Sequence, residues 1–472
     1  MTYMESKDII ELCKKNNVKL VDLKFTDLPG TWQHFTVPLS QFDEKIFEQG
    51  IGFDGSSIRG FKEIEESDMV LLPDASSFVI DVFGKEPVAS LICDVYEPGL
   101  KTRFSNDPRA IAQKAQEYLK KSGIADTAYY GPEAEFFIFD RVEFGSDQNF
   151  SFYRVESGEA NWHDNIEPDG SGYKIRNKQG YFPVSPLDQT IDVRRDIVAE
   201  LHRLGIEVEK EHHEVATAGQ AEIDIKYDNL LAMADKIMLF KYAVKNVARR
   251  YGKTATFMPK PLFGDNGSGM HTHISLWKNG APLFFDKSGY AGLSQLALWF
   301  VGGLLVHGKS LMALCAPTTN SYKRLVPGYE APTNLTYSAR NRSAAIRVPM
   351  YSDSPTSKRI EFRPADASCN LYLAFSAILM AGLDGIAKKN DPGKPVDGNI
   401  YKLDRNETTI PQVPSSLVEG LDALENDHEY LLAGNVFPKE IIDTWIDYKR
   451  TVEHDAVRLR PTPIEFEMYY DV

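Results

Sequence analysis

Apolar and polar positions alternate from Val18 to Phe25, break at Asp27-Leu28-Pro29-Gly30, and alternate again from Thr31 to Val37. A period of two belongs to a strand, and a Pro-Gly break between two such runs is turn chemistry, so a hairpin is predicted. Ahead of it, Ser6 is expected to cap a helix carrying Ile9, Ile10, Leu12 and Cys13 and ending near Asn16-Asn17. One more strand, Val88 to Tyr96, precedes Pro98-Gly99. Asp107 and Pro108 then read as the N-cap and first position of a helix stopped by Gly123, which places a domain boundary between residues 105 and 106. The predicted domains are therefore 1–105 and 106–472. Helical periodicity returns at 192–204, 230–251, 293–314, 367–388 and 438–457. Between 145 and 189, Gly, Asp, Asn and aromatics crowd together without periodicity, and a long functional loop is predicted there.

Four short strand-like runs break the apolar pattern in the same way. Glu133-Ala134-Glu135, Glu222-Ile223-Asp224, His271-Thr272-His273 and Glu361-Phe362-Arg363 each place two polar side chains on one face. A single pair reads more readily as a solvated sheet face. Four of them predict one sheet with a polar, concave surface, and His212-His213-Glu214 adds further ligand types. Carboxylates on an apolar strand are costly unless a cation neutralises them. Glutamates with one or two histidines and no cysteine favour Mg²⁺ or Mn²⁺ over Zn²⁺.

Composition narrows the setting. The 53 basic against 67 acidic residues give a net charge of −14, which argues against nucleic acid or an anionic membrane as the main partner. Cys13, Cys93, Cys315 and Cys369 are far apart and form no CxxC pair, as expected of packed thiols in a reducing compartment. The N-terminus has no basic-then-apolar signal pattern, and the longest apolar run, Leu296 to Val306, is eleven residues. A cytoplasmic protein is expected.

Gly252-Lys253-Thr254 imitates the end of a P-loop, but Val247 stands where the first glycine belongs. The chain has no GxGxxG, HExxH or GxSxG motif. A glycine-rich loop, Lys260 through Gly269, delivers His271 to the candidate metal face, and its backbone N–H groups suit an anion. Arg324, Arg340, Arg342, Arg347, Arg359 and Arg363 lie close to these runs in sequence, and opposite a metal they would orient phosphates. Pro327-Gly328-Tyr329-Glu330-Ala331-Pro332 reads as a surface turn or a lid with one glutamate at its tip. The residues thus point to metal-assisted phosphoryl transfer and leave the acceptor unnamed.

Phe53-Asp54-Gly55-Ser56-Ser57 followed by Glu66-Ser67-Asp68, and Lys260-Pro261 through Gly267-Ser268-Gly269-Met270-His271 to Ser275, resemble the two signature patterns of glutamine synthetase. Residues 131–139, 213–220, 322–332, 338–347 and 359–363 are similar to that family too, and the length fits its bacterial type I members. The resemblance implies an α+β fold: an N-terminal β-grasp-like domain, then a larger catalytic domain with a curved antiparallel sheet and flanking helices. It implies ATP-dependent ligation of ammonia to glutamate through γ-glutamyl phosphate, with two Mg²⁺ or Mn²⁺ ions per site. Glu135, Glu214 and Glu222 would ligate one ion, and Glu133, His271 and Glu361 the other. Arg342 and Arg347 would contact phosphate, with Glu209, Tyr227, His273, Ser275 and Arg359 around the nucleotide. Glu135, Asn266, Gly267, Arg324, Glu330 and Arg363 would surround glutamate. Asp54, with Tyr181, Ser57 and Glu214, would take a proton from ammonium, Glu330 would close over the intermediate, and Arg342 would also serve catalysis. Two stacked hexameric rings are implied, with the Asp54 loop completing a neighbour's site and a regulatory protein among the partners the family allows.

Two features depart from the family pattern. Gly398 stands where a basic residue precedes an adenylylated tyrosine and Asn390 where an aliphatic one does, so Tyr401 is expected to stay unmodified. Thr356 replaces a lysine that relatives place near the nucleotide. A γ-glutamyl ligase for another amine would alter the ammonium pocket, and a non-catalytic ring former would have lost ligands. Asp54, Ser57, Tyr181, Glu330 and the six ligand positions are all present.

Overall fold

A computed structural model describes residues 5–62, 67–100, 102–162, 172–398 and 410–472; Glu66 and Tyr401 lie outside them. The first sheet is built from β1 (Leu20–Thr26), β2 (Trp32–Pro38), β3 (Ile51–Asp54), β4 (Asp68–Pro73), β5 (Val79–Asp81) and β6 (Val88–Tyr96). Its order is β2-β1-β6-β4-β3, with β1 and β6 parallel and the other neighbours antiparallel. Val21, Leu23 and Phe25 alternate into a core shared with Ile9, Cys13, Leu71, Leu91 and Val95. The opposite face of β1 is not wet, although its residues are polar. Lys24 is buried there, 3.3 Å from Asp81 and 4.3 Å above the ring of Tyr242, a residue of the helix Leu230–Arg250. Arg109 joins the same two bodies, donating to Asp74 at 2.6 Å and to Asp235 at 2.8 Å. A guanidinium so buried persists only because carboxylates surround it.

The remaining strands are β7 (Thr127–Phe139), β8 (Arg141–Ser146), β9 (Ser151–Glu156), β10 (Val208–His213), β11 (Gln220–Ile225), β12 (Asp228–Asn229), β13 (Thr254–Thr256), β14 (Met270–Lys278), β15 (Ala281–Pro282), β16 (Asn334–Ser338), β17 (Ala344–Arg347) and β18 (Ile360–Phe362). The large curled sheet runs β10-β11-β7-β14-β18-β17-β16, antiparallel throughout except for β16 and β17. On its inner side Ala134, Phe136 and Ile138 pack with Ile223, Ile274 and Phe362 against the helices. Tyr130 reaches the buried helix Leu371–Lys388, donating to the carbonyl of Phe375 at 2.9 Å. That helix is the one described helix long and apolar enough to cross a membrane, and 83% of its apolar window is buried within the chain.

The helix Pro108–Ser122 begins with Asp107 accepting from the Arg109 N–H and ends on a left-handed Gly123, as its sequence predicts. Other boundaries differ. Glu5, and not Ser6, is the first N-cap, and Asp8 accepts from its N–H at 3.3 Å. Helical periodicity across 293–314 hides a bend: Gln295–Val306 and Gly308–Cys315 meet at 75°. At the bend, His307 is held at 2.9 Å by both Asp384 and Asp427. The stretch predicted as a loop starts with an antiparallel hairpin, β8 with β9. It escaped notice because neither strand carries a fully buried side chain: Phe144, Phe152 and Tyr153 are all exposed, so no apolar alternation marks it. Residues 438–457 are helical in pieces, Lys439–Tyr448 and Asp455–Arg458 around a wider turn at Lys449–His454.

Candidate functional site

The four polar pairs meet on one face of the curled sheet because their strands are neighbours in register. Glu222 faces Glu135 across β11 and β7, His271 faces Glu133 across β14 and β7, and Glu361 faces both His273 and Arg347. His212, on β10, faces Glu222 from the other side. A cavity of about 350 Å³ opens over this face. Glu133, Glu135, Glu214, Glu222, His271 and Glu361 line it, and so do Tyr181, Asn266, Gly267, Arg324, Glu330, Arg342, Arg347 and Arg363.

The carboxylates fall into two electrostatic halves. Burial opposes the charge on Glu133, but His273 at 2.9 Å and His271 at 3.5 Å bring its pKa well below the ordinary carboxyl range. Glu361 is fully buried, yet His273, Arg363 and His271 lower its pKa, with Arg363 donating at 2.7 Å and Arg347 also in contact. The other half is poorer in cations, with Lys210 3.6 Å from Glu222. Burial, and then Glu135, push Glu214 up to about 8. Burial, and then Asp224, Glu133, Glu135 and Glu214, raise Glu222 well above its usual value.

Ligand-type atoms converge within 4.8 Å in Glu133, His271 and Glu361, and again in His212, Glu214 and Glu222. Both sets are hard or borderline oxygen and nitrogen donors, and the second holds crowded carboxylates whose charge a divalent cation would relieve. The residues therefore fit two such ions. Glu135 is turned differently from the grouping the resemblance implies. One oxygen of its carboxylate accepts from Gln220 Nε2 at 3.1 Å and from the Gly269 N–H at 3.0 Å, and His212 completes the second group.

At one end of the cavity, Arg324 is buried and, among the described residues, has only backbone carbonyls as hydrogen-bond acceptors: Pro364 at 3.0 Å, Ala365 and Arg363, both at 3.2 Å. Nε of Arg363 is buried without a partner among the described residues. Two guanidiniums with spare donors make a carboxylate-sized anion site. At the other end, His273 and Ser275 continue along the same face of β14 beyond the cavity wall, and Arg359 Nε stands 3.2 Å from His273 Nδ1. Ser275 accepts from Trp277 at 3.0 Å, and the rings of Tyr227 and Trp277 flank Tyr129 at 5.2 and 5.6 Å. Glu209, on β10, is exposed nearby on the sheet's outer edge.

Asp54 and Ser57 do not reach the cavity of their own chain. They are exposed at the end of β3, where hydrogen bonds from Ser56 lower the Asp54 pKa. Sequence reasoning passed over Gln220 and Lys210, which also line the cavity. Lys210 stands 2.8 Å from Asp224 and 3.6 Å from Glu222, and lies two residues before His212, so the period of two already placed it on that face. Buried His213 positions the segment before Tyr181, with Nδ1 2.8 Å from the Gly180 carbonyl.

A small mixed sheet followed by a curled, acid-lined sheet is the architecture of a two-part enzyme family whose models match this chain. The model described as glutamine synthetase, beta-Grasp domain, matches residues 17–98, and the one described as glutamine synthetase, catalytic domain, matches 105–469. The chain is 56% identical to a glutamine synthetase of Aquifex aeolicus, with 99% of each chain covered, and 54% identical to one of Frankia alni over 100% of each. A glutamine synthetase of Plasmodium falciparum solved by cryo-electron microscopy superposes with a TM-score of 0.90 at 32% identity, covering 100% of this chain and 99% of that one. The chain belongs to the glutamine synthetase family, the glutamate–ammonia ligases, for which ATP and a divalent metal are required.

Proposed function

We propose that the cavity converts glutamate, ammonia and ATP to glutamine, ADP and phosphate through γ-glutamyl phosphate, as a step of nitrogen assimilation. The observation that carries this is the adjacency of Glu133, His271 and Glu361 to the buried pair Arg324 and Arg363 in one cavity. Glu133, His271 and Glu361 would hold one Mg²⁺ or Mn²⁺, and Glu135, Glu214 and Glu222 the second, with His212 beside them. Bound ions supply Lewis-acid neutralisation of the phosphate oxygens.

Arg324, Arg363, Asn266 and Gly267 hold the amino-acid end of glutamate, beside Glu135, so that its side-chain carboxylate faces the arginines Arg342 and Arg347. Glu209, Tyr227, His273, Ser275 and Arg359 take the nucleotide. The glutamate oxygen attacks the γ-phosphorus as ADP leaves. Ammonium then loses a proton to Asp54, assisted by Ser57, Tyr181 and Glu214, and ammonia displaces phosphate. Because Asp54 lies outside its own cavity, a neighbouring copy supplies it. We read the protein as a cytoplasmic dodecamer of two hexameric rings, its subunits built of units 1–105 and 106–472. Glu330 closes the site and keeps water from the acyl phosphate.

The test measures phosphate release from ATP with Mg²⁺ and glutamate, with and without ammonium, beside a direct glutamine assay. Ammonium-dependent release with matching glutamine is expected. Release that requires a different amine, or no turnover with any amine, overturns the reading.

A further inference from the structure

Tyr329 occupies a place that the roles above leave unexplained. It is half-buried, it precedes Glu330 in the loop over the cavity, and two ammonium groups approach its ring. Lys178 Nζ and Lys260 Nζ each stand 4.0 Å from the ring centre. The lysines come from separate segments. Lys260 opens the glycine-rich loop that carries Asn266 and Gly267, and its backbone is pinned on both sides by Asn320, at 2.7 and 3.0 Å. Lys178 sits three residues before Tyr181. The two cations are close enough that Lys178, after burial, helps to lower the pKa of Lys260. Like charges gather where something attracts both, and the negative face of an aromatic ring does so at this distance.

The loop needs such an anchor. Gly328 and Glu330 both hold left-handed backbone, φ 95° and 57°, a conformation that disfavours a glutamate. The Glu330–Arg342 pair is 3.9 Å apart and exposed on both sides, so it adds little. We propose that Tyr329 is a positioning residue of the lid: its ring, held by Lys178 and Lys260, keeps Glu330 over the cavity and ties the lid to both substrate loops. This rests on the ligase reading. It assigns Tyr329, Lys178 and Lys260 a role in retaining the acyl phosphate and no contact with the reacting atoms.

The experiment measures phosphate released per glutamine formed, with glutamate KM and kcat, for the full-length enzyme and for Y329L, Y329F, K178M and K260M. The wild-type ratio is expected near unity. Y329L is expected to raise phosphate release without glutamine by roughly fivefold to thirtyfold, the size that loss of two cation–π contacts of about 0.5–1 kcal/mol each carries. Y329F, which keeps the ring, is expected to hold the wild-type ratio, and K178M to lie between. Adding K178M to Y329L is expected to change nothing further. An unchanged ratio in both Y329L and K178M overturns the proposal, and so does a Y329F as leaky as Y329L. Since Lys178 is exposed, K178M tests the idea even where Y329L fails to fold. A wild type that makes no glutamine would instead overturn the ligase reading itself.

Discussion

His273 Nε2 stands 2.9 Å from a carboxylate oxygen of Glu133, although the strand register pairs Glu133 with His271 and His273 with Glu361. The diagonal contact gives Glu133 two histidine partners, while Glu222, on the adjacent strand, faces four carboxylates and has a raised pKa. Equivalent-looking glutamates therefore sit in surroundings that shift their pKa values in opposite directions.

That difference predicts opposite outcomes for two isosteric changes. Burial and four neighbouring carboxylates oppose a charge on metal-free Glu222, so E222Q should leave the metal-free melting temperature nearly unchanged while weakening divalent-ion binding by roughly a hundredfold. E133Q should weaken one ion and also destabilise the metal-free protein by about 1.5–3 kcal/mol, the worth of hydrogen bonds to a charged group. Titration calorimetry in two buffers of different ionisation enthalpy would show proton release on Mg²⁺ binding by the wild type and less by E222Q. Equal proton release by both would contradict the assignment.

Gly267 is where the glycine-rich loop passes the substrate arginine. A Cβ there would lie 2.3 Å from the Pro259 carbonyl oxygen and 3.1 Å from Arg324 Cγ. G267A should therefore displace Arg324, raising glutamate KM roughly tenfold or more, with an overpacking cost of about 1–3 kcal/mol in urea unfolding. The KM for ATP should change far less.

Removal of the lid carboxylate tests the sealing role. E330A should let γ-glutamyl phosphate meet water, so that phosphate release exceeds glutamine formation. Phosphate and glutamine measured in the same sample, still equal in E330A, would remove Glu330 from that role.

Away from the cavity, His307 pins a helix bend through one aspartate on each ring nitrogen. Burial works against its charge, but Asp427 and Asp384 outweigh burial and raise its pKa. A raised folded pKa stabilises fully below the ring's ordinary value of about 6.5, and that stabilisation is lost as pH rises through the folded value. H307Q should cost on the order of 1.5–3 kcal/mol at about pH 6, with the deficit shrinking by about pH 9. Urea unfolding of both proteins at the two pH values checks the sign; a deficit that grows with pH would refute it.

The candidate site was unusually legible because a strand's period is two. Glu133 with Glu135, Glu222 with Asp224, His271 with His273 and Glu361 with Arg363 each declared a shared face without any knowledge of the fold. The helix from Pro108 was legible too, since Asp107, Pro108 and Gly123 are local signals read within one turn of chain. Features set by distant partners were not. The bend at His307 depends on Asp384 and Asp427, far along the chain, and the β8–β9 hairpin has no fully buried side chain to write an alternation into the sequence.

By itself, the sequence determined which residues share a face, which chemistry they carry and which family they belong to, because periodicity and motif spacing are properties of neighbouring residues. Only the tertiary structure decided which strands lie side by side, and hence that His212 joins Glu214 and Glu222 while Gln220 and Gly269 hold Glu135. It also decided that the surroundings favour a charge on Glu133 and oppose one on Glu222. Register, burial and the sum of nearby charges are set by residues remote in sequence, and Coulomb interactions in a buried site depend on those distances alone.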